Sequence, residues 1–259
     1  MRTLVRVEEV VRETPSMVTL RFSYPAPALP GQFVMVWVPG DDEVPMSLSY
    51  REDGSPKGIT VKVMGSTSRH LTELKVGDRI GIRGPYGNHF PLDGNRVLVV
   101  GGGSGTAALA PAAEAAHARG ARVDVALGAV TAAELLFRDR LRHIAGDLQV
   151  STDDGSEGHH GFVTALVGPM LASARYDAVW TCGPEIMMSK VMAAAKPLSV
   201  PVFGSMERIM KCAINLCDAC SLGPYHVCAD GPVFTHAQLE GLEDFGRYKR
   251  SMAGLRIPA

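Results

Sequence analysis

The sequence lacks several features that would assign it to common classes of protein. Its 259 residues carry a formal net charge of -1 with 20% charged residues, and they include no basic block and no alternation of basic with aromatic residues. Nothing therefore favours nucleic-acid binding. No apolar run approaches the roughly 20 residues that span a membrane. The chain begins MRTLVRVEEV without an apolar signal segment, which predicts a cytoplasmic protein with no membrane partner.

Cysteine is scarce, but its distribution is uneven. Four of the five cysteines lie within seventeen residues, in the pattern Cys212-x4-Cys217-x2-Cys220-x7-Cys228. This is the C-x4-C-x2-C…C spacing of plant-type 2Fe-2S ligands. Structural zinc usually takes two separate C-x2-4-C pairs, whereas here Cys212 and Cys220 both have Cys217 as their near neighbour and Cys228 stands alone, so the spacing favours a 2Fe-2S cluster over zinc. A disulfide framework is disfavoured because cytosolic thiols stay reduced.

The rest of the sequence has two patterns of hydrophobic periodicity. Up to about residue 93, short alternating segments predict an antiparallel β-barrel or sandwich. These segments are LVRVEEV, MVTLRFSY, GQFVMVWV, GITVKVMG and DRIGIRG, with Pro, Gly and a DGSPKG turn between them. Later strands such as RVLVV and DAVWTC alternate with helical segments, which predicts an α/β domain with a parallel sheet. We predict domains at 1–93 and 94–204, and a small cysteine segment at 205–259.

A glycine-rich turn follows the first strand of the α/β domain. Its members are Gly101, Gly102, Gly103, Ser104 and Gly105. Such glycines let the backbone approach a pyrophosphate, whose charge meets N–H groups at the start of a helix. The turn is not a complete G-x-G-x-x-G pattern, and a packing role is also consistent with it. The acidic residue usual after the second strand is missing, and we predict that Thr131 and Glu134 form a helix capping box instead.

The order of segments resembles the ferredoxin-NADP reductase superfamily and, more closely, the family of dihydroorotate dehydrogenase electron-transfer subunits. The resemblance extends over nearly the whole chain. The motifs that carry it are Pro45-Met46-Ser47-Leu48, GPYGNHF at 84–90, the glycine turn, Asp153-Asp154-Gly155-Ser156, Cys182-Gly183-Pro184, SMERIMKCAINLCDAC and HVCADGPVF. The last two are the most specific, because the superfamily at large has no cysteine cluster after its nucleotide domain.

The resemblance implies an FAD site in the barrel, although an ordinary barrel turn is the alternative. The residues implied are Pro45, Met46, Ser47 and Leu48 at the flavin, with Val61, Lys62 and Val63 on the next strand and Thr67 and Ser68 in the following turn at the ribityl and pyrophosphate groups. The family commonly has Arg before this proline, whereas Val44 stands here after Glu43. Lys62, Arg69 or a helix N-terminus would then neutralise the phosphates.

The resemblance also implies an NAD site. It would consist of Gly101, Gly102, Gly103 and Gly105 together with Cys182, Gly183 and Pro184, with Cys182 as a nicotinamide contact or a small core residue and not a nucleophile. Asp153 and Asp154 would accept ribose hydroxyls and repel a 2'-phosphate, which favours NAD over NADP. A plain DDG turn fits these residues equally well. His159 and His160 are predicted to be exposed loop residues.

By this resemblance the chain is an NAD-linked oxidoreductase subunit of pyrimidine biosynthesis. Electrons would pass from an FMN-containing dihydroorotate dehydrogenase catalytic subunit through the 2Fe-2S cluster and FAD to NAD. We assign no general acid or base, because the cofactors carry the chemistry. Two copies of each subunit would form a heterotetramer. Apolar residues of the cysteine segment would contact the partner or pack the small domain: Met206, Ile209, Met210, Ile214 and Leu216.

Other functions remain open. The same architecture occurs in the small subunit of NADH-dependent ferredoxin-NADP oxidoreductase and in diaphorase-like subunits of hydrogenase or sulfide dehydrogenase. A different class is a regulatory or assembly subunit without enzymatic activity that keeps only the fold. The glycine turn, the Cys-Gly-Pro motif and the four clustered cysteines argue against that class.

Overall fold

A computed structural model describes residues 2–50, 57–250 and 255–258. The first four residues of the DGSPKG segment lie outside these ranges. Among the described residues, no helix is both long enough and apolar enough to cross a membrane.

The N-terminal part is a curled antiparallel sheet of seven strands, which confirms the prediction of an antiparallel β-barrel. The strands are β1 (Thr3–Arg6), β2 (Glu9–Thr14), β3 (Met17–Phe22), β4 (Phe33–Trp37), β5 (Glu43–Tyr50), β6 (Lys57–Lys62) and β7 (Arg79–Tyr86). Their order across the sheet is β1-β7-β4-β5-β6-β3-β2. Leu20, Phe22, Val34, Ile59 and Ile82 are fully buried inside the curl. Burial of this face stabilises the sheet, because β-branched and aromatic side chains pack well on a pleated surface.

Helix α1 (Ser66–Glu73) connects β6 to β7. The sequence predicted a turn at Thr67 and Ser68, and this was wrong, because both residues lie in the first turn of α1. The Ser68 hydroxyl oxygen accepts hydrogen bonds from the N–H groups of Met64 and Gly65, each at 2.8 Å. Leu71 is completely buried in the barrel core. Capping and burial together stabilise a helix that is too short to form alone.

The second part is an α/β sheet. Its parallel strands are β8 (Arg96–Gly102), β9 (Arg122–Ala129), β10 (Ala145–Thr152), β11 (His159–His160), β12 (Ala178–Cys182) and β13 (Val202–Ser205). Its helices are α2 (Thr106–Ala118), α3 (Arg138–Arg142), α4 (Thr164–Ser173) and α5 (Glu185–Ala195), with 3-10 turns at Gly103–Gly105, Ala132–Glu134 and Lys196–Leu198. The prediction of a parallel-sheet α/β domain is confirmed.

The C-terminal segment joins this sheet. It contributes the hairpin β14 (Ser221–Leu222) and β15 (Tyr225–His226), then α6 (Val227–Asp230), β16 (Val233–Thr235), α7 (His236–Leu239), β17 (Tyr248–Arg250) and β18 (Arg256–Pro258). The full sheet order is β11-β10-β9-β8-β12-β13-β16, and β16 pairs antiparallel with β13. The cysteine segment therefore leaves the sheet at β13 and returns to it at β16. The domain boundaries at 93/94 and 204/205 remain predictions.

The predicted capping box at Thr131 and Glu134 was wrong. The Thr131 side chain caps nothing, and the segment forms one 3-10 turn before Phe137 adopts a left-handed φ of 57° and delays α3. Glu134 instead accepts hydrogen bonds from the hydroxyls of Thr14 (3.0 Å) and Ser16 (2.5 Å) on the barrel. The Glu134 carboxylate therefore links the α/β domain to the barrel through hydrogen bonds.

Two further contacts fix the barrel on the α/β sheet. The rings of Phe90 and Trp180 lie with their centroids 5.6 Å apart in the core. Arg140 donates to the Ser49 carbonyl at 2.9 Å, and its guanidinium carbon lies 3.8 Å from the centroid of the Tyr50 ring. Because Ser49 and Tyr50 end β5, these contacts fix that strand relative to the carboxyl ends of the parallel strands. Ligands bind at such strand ends, where the strand order reverses between β8 and β12.

Candidate electron-transfer site

The four clustered cysteines come together in one region. Cys212, Cys217 and Cys220 lie in turns between β13 and β14, and Cys228 lies in α6. The thiols of Cys212 and Cys217 interact with each other, as do those of Cys220 and Cys228. Cys212 also acts electrostatically on Cys220, which links the two pairs. Cys220 and Cys228 are buried, whereas Cys217 is exposed.

Backbone N–H groups of the loop donate to the cysteine sulfurs. The contacts are Leu216 N to Cys212 Sγ at 3.3 Å, Ile214 N to Cys212 Sγ at 3.5 Å, and Asn215 N to Cys228 Sγ at 3.4 Å. Ala213 and Asn215 have φ values of 58° and 61°, a left-handed conformation that few side chains adopt. Successive N–H groups in such alternating turns form concave anion sites. Hydrogen bonds to the sulfurs are also one of the ways in which proteins set the potential of iron–sulfur clusters.

The cysteines differ in their readiness to ionise. Burial acts to raise the pKa of the Cys212 thiol, but the N–H groups of Ile214 and Leu216 and the contacts with Cys217 outweigh it and lower this pKa to about 6. Burial raises the pKa of Cys220 to about 12. Because thiols bind metal as thiolates, metal binding at Cys220 is coupled to loss of its proton.

The two cysteine pairs fit a binuclear cluster. Within residues 2–50, 57–250 and 255–258, no three His, Cys, Asp or Glu side chains are placed to hold one metal ion. Structural zinc needs four ligands around one point, whereas a 2Fe-2S cluster shares four thiolates between two irons, which suits two cysteine pairs. The Ser221 hydroxyl beside Cys220 is buried without a partner in the described structure. A hydrogen-bond donor is thus left over next to a candidate ligand.

The residues predicted as a partner contact divide into two groups. Met206 and Met210 are only 3% and 6% exposed and belong to the core that underlies the cysteine segment. They pack the small domain, which is one of the two roles predicted for them. Ile214 and Leu216 are 60% and 80% exposed, and Ile209 is half-buried. An apolar surface therefore remains on the loop that carries Cys212 and Cys217.

The predicted flavin motif forms the middle of β5. Pro45, Met46 and Ser47 are half-buried and Leu48 is buried. The strand pairs with β4 and β6, so its backbone is held on both sides. The Ser47 hydroxyl has no hydrogen-bond partner among the described residues. Val44, which stands where the family commonly has Arg, is paired with Val36 and packs against the barrel core.

A basic cavity lies where the end of β6 and helix α1 meet β2 and β3. Its volume is about 290 Å³, and its lining consists of Arg12, Pro15, Ser16, Val18, Lys62, Val63, Arg69 and Thr72. None of these lining residues is acidic, and within the described ranges the side chains of Lys62 and Arg69 form no ion pair. Several cations without a counter-charge create a local positive potential that attracts anions. The cavity thus offers the positive charge that Val44 does not.

The glycine turn has both tight and open positions. A Cβ on Gly105 would lie 2.4 Å from the carbonyl oxygen of Cys182, so the turn can pass β12 only as glycine. At Gly103, with φ of 54°, a Cβ would meet no atom within 4 Å. This position opens on a second cavity, of about 260 Å³, between the two domains. The lining of that cavity is Ser16, Met17, Lys62, Gly103, Ala129, Val130 and Glu134.

The Cys182-Gly183-Pro184 motif ends β12 next to the glycine turn. Gly183 has φ of 155° and lies against the backbone of Gly102. Burial, helped by the negative charge of Glu207, raises the pKa of the Cys182 thiol to about 12. The thiol therefore stays protonated at neutral pH, as a contact group requires and a nucleophile does not.

The two aspartates after β10 are not equivalent. The Asp154 carboxylate accepts from the Ser156 hydroxyl at 2.6 Å and from its N–H at 3.0 Å, and these bonds lower the pKa of Asp154. The Asp153 carboxylate has no hydrogen-bond partner in the described part of the chain and is the more available of the two. His159 and His160 are exposed as predicted, but they form β11 and pair with β10 and are not in a loop.

Sequence reasoning missed a residue that anchors the cysteine segment. The Asn88 side chain donates to the carbonyls of Asp230 (2.9 Å) and Val233 (2.8 Å) and accepts from the Val233 N–H (2.9 Å). The signal was its place in the GPYGNHF motif, between the barrel and the α/β domain. An amide is suited to this position because it both donates and accepts.

Comparison with known proteins agrees with the geometry. Residues 207–240 match the family described as the iron-sulfur cluster binding domain of dihydroorotate dehydrogenase B. The chain is 45% identical over 253 residues to a protein of Thermoplasma volcanium named as a probable dihydroorotate dehydrogenase B (NAD(+)), electron transfer subunit, covering 98% of this chain and 97% of that one. A protein of the same name from Methanocaldococcus jannaschii is 41% identical over 256 residues, with the same coverage.

Solved structures of other proteins superpose on most of the chain. A structure of an NADH-dependent reduced ferredoxin-NADP oxidoreductase superposes with a TM-score of 0.82 at 31% identity, covering 90% of this chain and 88% of that chain. The cytochrome b5 reductase domain of Ulva prolifera nitrate reductase shares only the fold, with a TM-score of 0.63 at 17% identity, covering 76% of this chain and 93% of that chain. From the near-complete coverage by relatives above 40% identity, together with the cysteine site, the chain belongs to the family of dihydroorotate dehydrogenase B electron transfer subunits.

Proposed function

We propose that this chain is the electron-transfer subunit of an NAD-linked dihydroorotate dehydrogenase. The observation that carries the proposal is the cysteine site, which is built into the same folded unit as a flavin-type barrel and a nucleotide-type α/β domain. Relatives of that name match 98% of the chain. One chain thus joins a site for a hydride carrier to a site for a carrier of single electrons.

FAD would bind along β5 and beside α1. When bound, it supplies the exchange between hydride transfer and single-electron transfer. Pro45, Met46 and Leu48 would give the ring an ordered strand to lie on, and the unpartnered Ser47 hydroxyl would bond to its edge. The ribityl and pyrophosphate groups would meet Val61, Lys62, Val63, Thr67 and Ser68. Lys62 and the neighbouring Arg69 support this placement, because they line a basic cavity without an acidic residue.

NAD would bind at the carboxyl ends of β8 and β12. Gly101, Gly102, Gly103 and Gly105 would allow its phosphates to approach the start of α2. The supporting observation is the open cavity at Gly103. Cys182, Gly183 and Pro184 would contact the nicotinamide, with Cys182 as a neutral thiol. Asp153 would accept a ribose hydroxyl, and Asp154 would add negative charge against a 2'-phosphate.

The 2Fe-2S cluster would be held by Cys212, Cys217, Cys220 and Cys228. The exposed Cys217 lies close to Ile214 and Leu216, whose side chains offer apolar contact to a second protein. We propose that this surface meets an FMN-containing catalytic subunit, in a heterotetramer with two copies of each chain. Electrons from dihydroorotate would enter the chain at this surface and would leave it by the reduction of NAD.

A second candidate function rests on a specific observation. The NADH-dependent reduced ferredoxin-NADP oxidoreductase structure superposes over 90% of the chain at 31% identity. In that case the partner would be a larger iron–sulfur flavoprotein, and dihydroorotate would not be a substrate.

The test is co-purification of the chain with its genomic dihydroorotate dehydrogenase catalytic chain under anaerobic conditions. We expect flavin and iron in the complex, a rhombic EPR signal after addition of NADH, and reduction of NAD by dihydroorotate that requires both chains. Mass measurement of the complex gives its stoichiometry. Spectra of this kind without any dihydroorotate-dependent reduction of NAD would favour the second candidate, and zinc in place of iron would exclude both.

A further inference from the structure

One arginine of the barrel reaches the cysteine loop. Arg83 lies on β7. Its guanidinium bonds on one side to Glu43 of β5, the strand that carries the predicted flavin motif, and on the other side to the backbone of residues 211 and 212 in the cysteine loop. Its contacts are Nε to Glu43 Oε2 at 2.8 Å, Nη2 to Glu43 Oε2 at 2.6 Å, Nη1 to the Tyr86 hydroxyl at 3.2 Å, Nη1 to the Cys212 carbonyl at 2.7 Å, and Nη2 to the Lys211 carbonyl at 3.0 Å. These contacts match the five N–H donors that a guanidinium possesses.

Arg83 thus connects the two parts of the chain between which electrons would pass under the proposed function, namely β5 and the cysteine loop. Glu43 is two residues before Pro45 on β5, and Cys212 is the first ligand of the cysteine pattern. The side chains of Arg83 and Glu43 are 18% and 14% exposed, so water competes little for their hydrogen bonds. The chain separation between Arg83 and Cys212 is 129 residues. A single side chain therefore links two segments that are remote in sequence.

The fork shape of the guanidinium decides what could replace it. Lysine has three donors on one nitrogen and cannot bond in two opposite directions within one plane. The Tyr86 ring, 5.5 Å from the guanidinium carbon, adds a second constraint on its orientation. Position 83 therefore requires arginine for its geometry as well as its charge.

We propose that Arg83 is a positioning residue for electron transfer, which holds the loop of Cys212 at a fixed distance from the flavin strand through Glu43. The proposal rests on the proposed function, since it assumes FAD on β5 and a 2Fe-2S cluster on the loop. Arg83 touches neither the cysteine sulfurs nor the flavin motif. It acts through the carbonyls of Lys211 and Cys212.

The experiment uses the anaerobically purified complex carrying Arg83→Met, Arg83→Lys or Arg79→Met. Arg79 is an exposed residue of the same strand, so its variant controls for loss of one surface charge. Three quantities are measured: the rate of flavin reduction by NADH, the subsequent rate of cluster reduction, and hydrogen exchange of the amides in residues 211–217. Hydrogen exchange is independent of activity, and it is also measured on chains that carry no cofactor.

We expect normal flavin reduction in all three variants. In both Arg83 variants, exchange in residues 211–217 should be faster by about tenfold, because the loop loses its hydrogen bonds from a charged group and opens more often. Cluster reduction should slow in the same two variants and not in Arg79→Met. Normal exchange and normal cluster reduction in Arg83→Met would overturn the proposal. Normal behaviour in Arg83→Lys alone would also overturn it, since charge and not geometry would then be sufficient.

Failure of the proposed function would be distinguishable. It would show in the unsubstituted complex as missing flavin, missing iron or no reduction by NADH. If Arg83→Met fails to fold, its thermal unfolding shows this, and the comparison of Arg83→Lys with Arg79→Met decides the question.

Discussion

Arg208 and Glu185 form an ion pair in which the side chains are only 4% and 15% exposed. Arg208 precedes the cysteine loop, and Glu185 begins α5 directly after the Cys182-Gly183-Pro184 motif. Glu185 also accepts the N–H of Gly246 at 2.8 Å. The nucleotide end of the α/β sheet and the cysteine segment are thus joined by one carboxylate.

Loss of this carboxylate should destabilise the protein. In Glu185→Gln, Arg208 would keep the Glu207 carbonyl as a hydrogen-bond acceptor but would be a buried charge without a counter-charge, and we expect the free energy of unfolding to fall by about 3 kcal/mol. The control is Glu240→Gln, which breaks the exposed pair of Glu240 with Lys196 and should destabilise the protein far less, because solvent screens this pair. Chemical denaturation of the two variants checks the difference. Equal losses would show that the Glu185 pair has no special role.

Loss of the Asn88 amide should loosen the cysteine segment. Asn88→Ala removes three hydrogen bonds to residues 230 and 233, each contributing about 1 kcal/mol, so we expect a loss of about 2–3 kcal/mol. Asn95 is exposed and its side chain bonds to no described residue, so Asn95→Ala is the matched control. Thermal unfolding measures both. A small effect at Asn88 would mean that water replaces its contacts.

Replacement of one cluster cysteine should remove the cluster. We expect Cys217→Ser to lose the rhombic EPR signal and most of its iron, while Cys182→Ser keeps both, because only Cys217 belongs to the clustered set. Iron analysis and EPR of the anaerobically purified variants provide the measurement. Retention of iron in Cys217→Ser with its loss in Cys182→Ser would reverse the assignment.

The Cys182 thiol should resist alkylation in the folded protein. Its pKa is raised from 9.0 to about 12, chiefly by burial, which lowers the fraction of reactive thiolate about a thousandfold. Because the raised pKa favours the neutral form, the protection should hold at neutral pH and weaken only as the pH approaches 12. Iodoacetamide labelling followed by mass spectrometry of native and urea-unfolded protein tests this. Labelling of Cys182 at equal rates in both states would contradict it.

The basic cavity should contribute to FAD affinity. Lys62→Met and Arg69→Met should each weaken FAD binding about 10-fold or more, since hydrogen bonds to charged groups contribute about 1.5–3 kcal/mol. Lys75→Met is the control, because Lys75 is exposed and lies outside the cavity lining. Titration of the flavin-free chain with FAD gives the dissociation constants. Unchanged affinity in both variants would place the phosphates elsewhere, for example at the N-terminus of α1.

Local patterns predicted the two sheets and the grouping of four cysteines at one site, because strand alternation and ligand spacing are properties of neighbouring residues. They failed where a local signal was weak or a partner was distant. Strand β5 was not predicted, because it contains Pro45 and proline is unusual inside a strand. The left-handed φ of Phe137 makes α3 begin only at Arg138, although the residues before Phe137 are also good helix formers. Glu134 and Arg83 bond to residues more than 100 positions away, and no periodicity reports such contacts.

The position of the cysteine segment between β13 and β16 bears on how the protein matures. Both ends of residues 206–232 are held by the sheet, Arg83 of the barrel bonds to the Cys212 carbonyl near the start of the segment, and Asn88 bonds to the Asp230 carbonyl near its end. The entropy of closing this loop is therefore lost when the two large domains fold, not when metal arrives. Assembly should run in one order, with polypeptide folding first and delivery of iron and sulfide to a waiting pocket last. If the cysteine segment were moved to another protein without its sheet, metal binding would have to offset the entropy of closing the loop. We therefore do not expect the segment to fold independently.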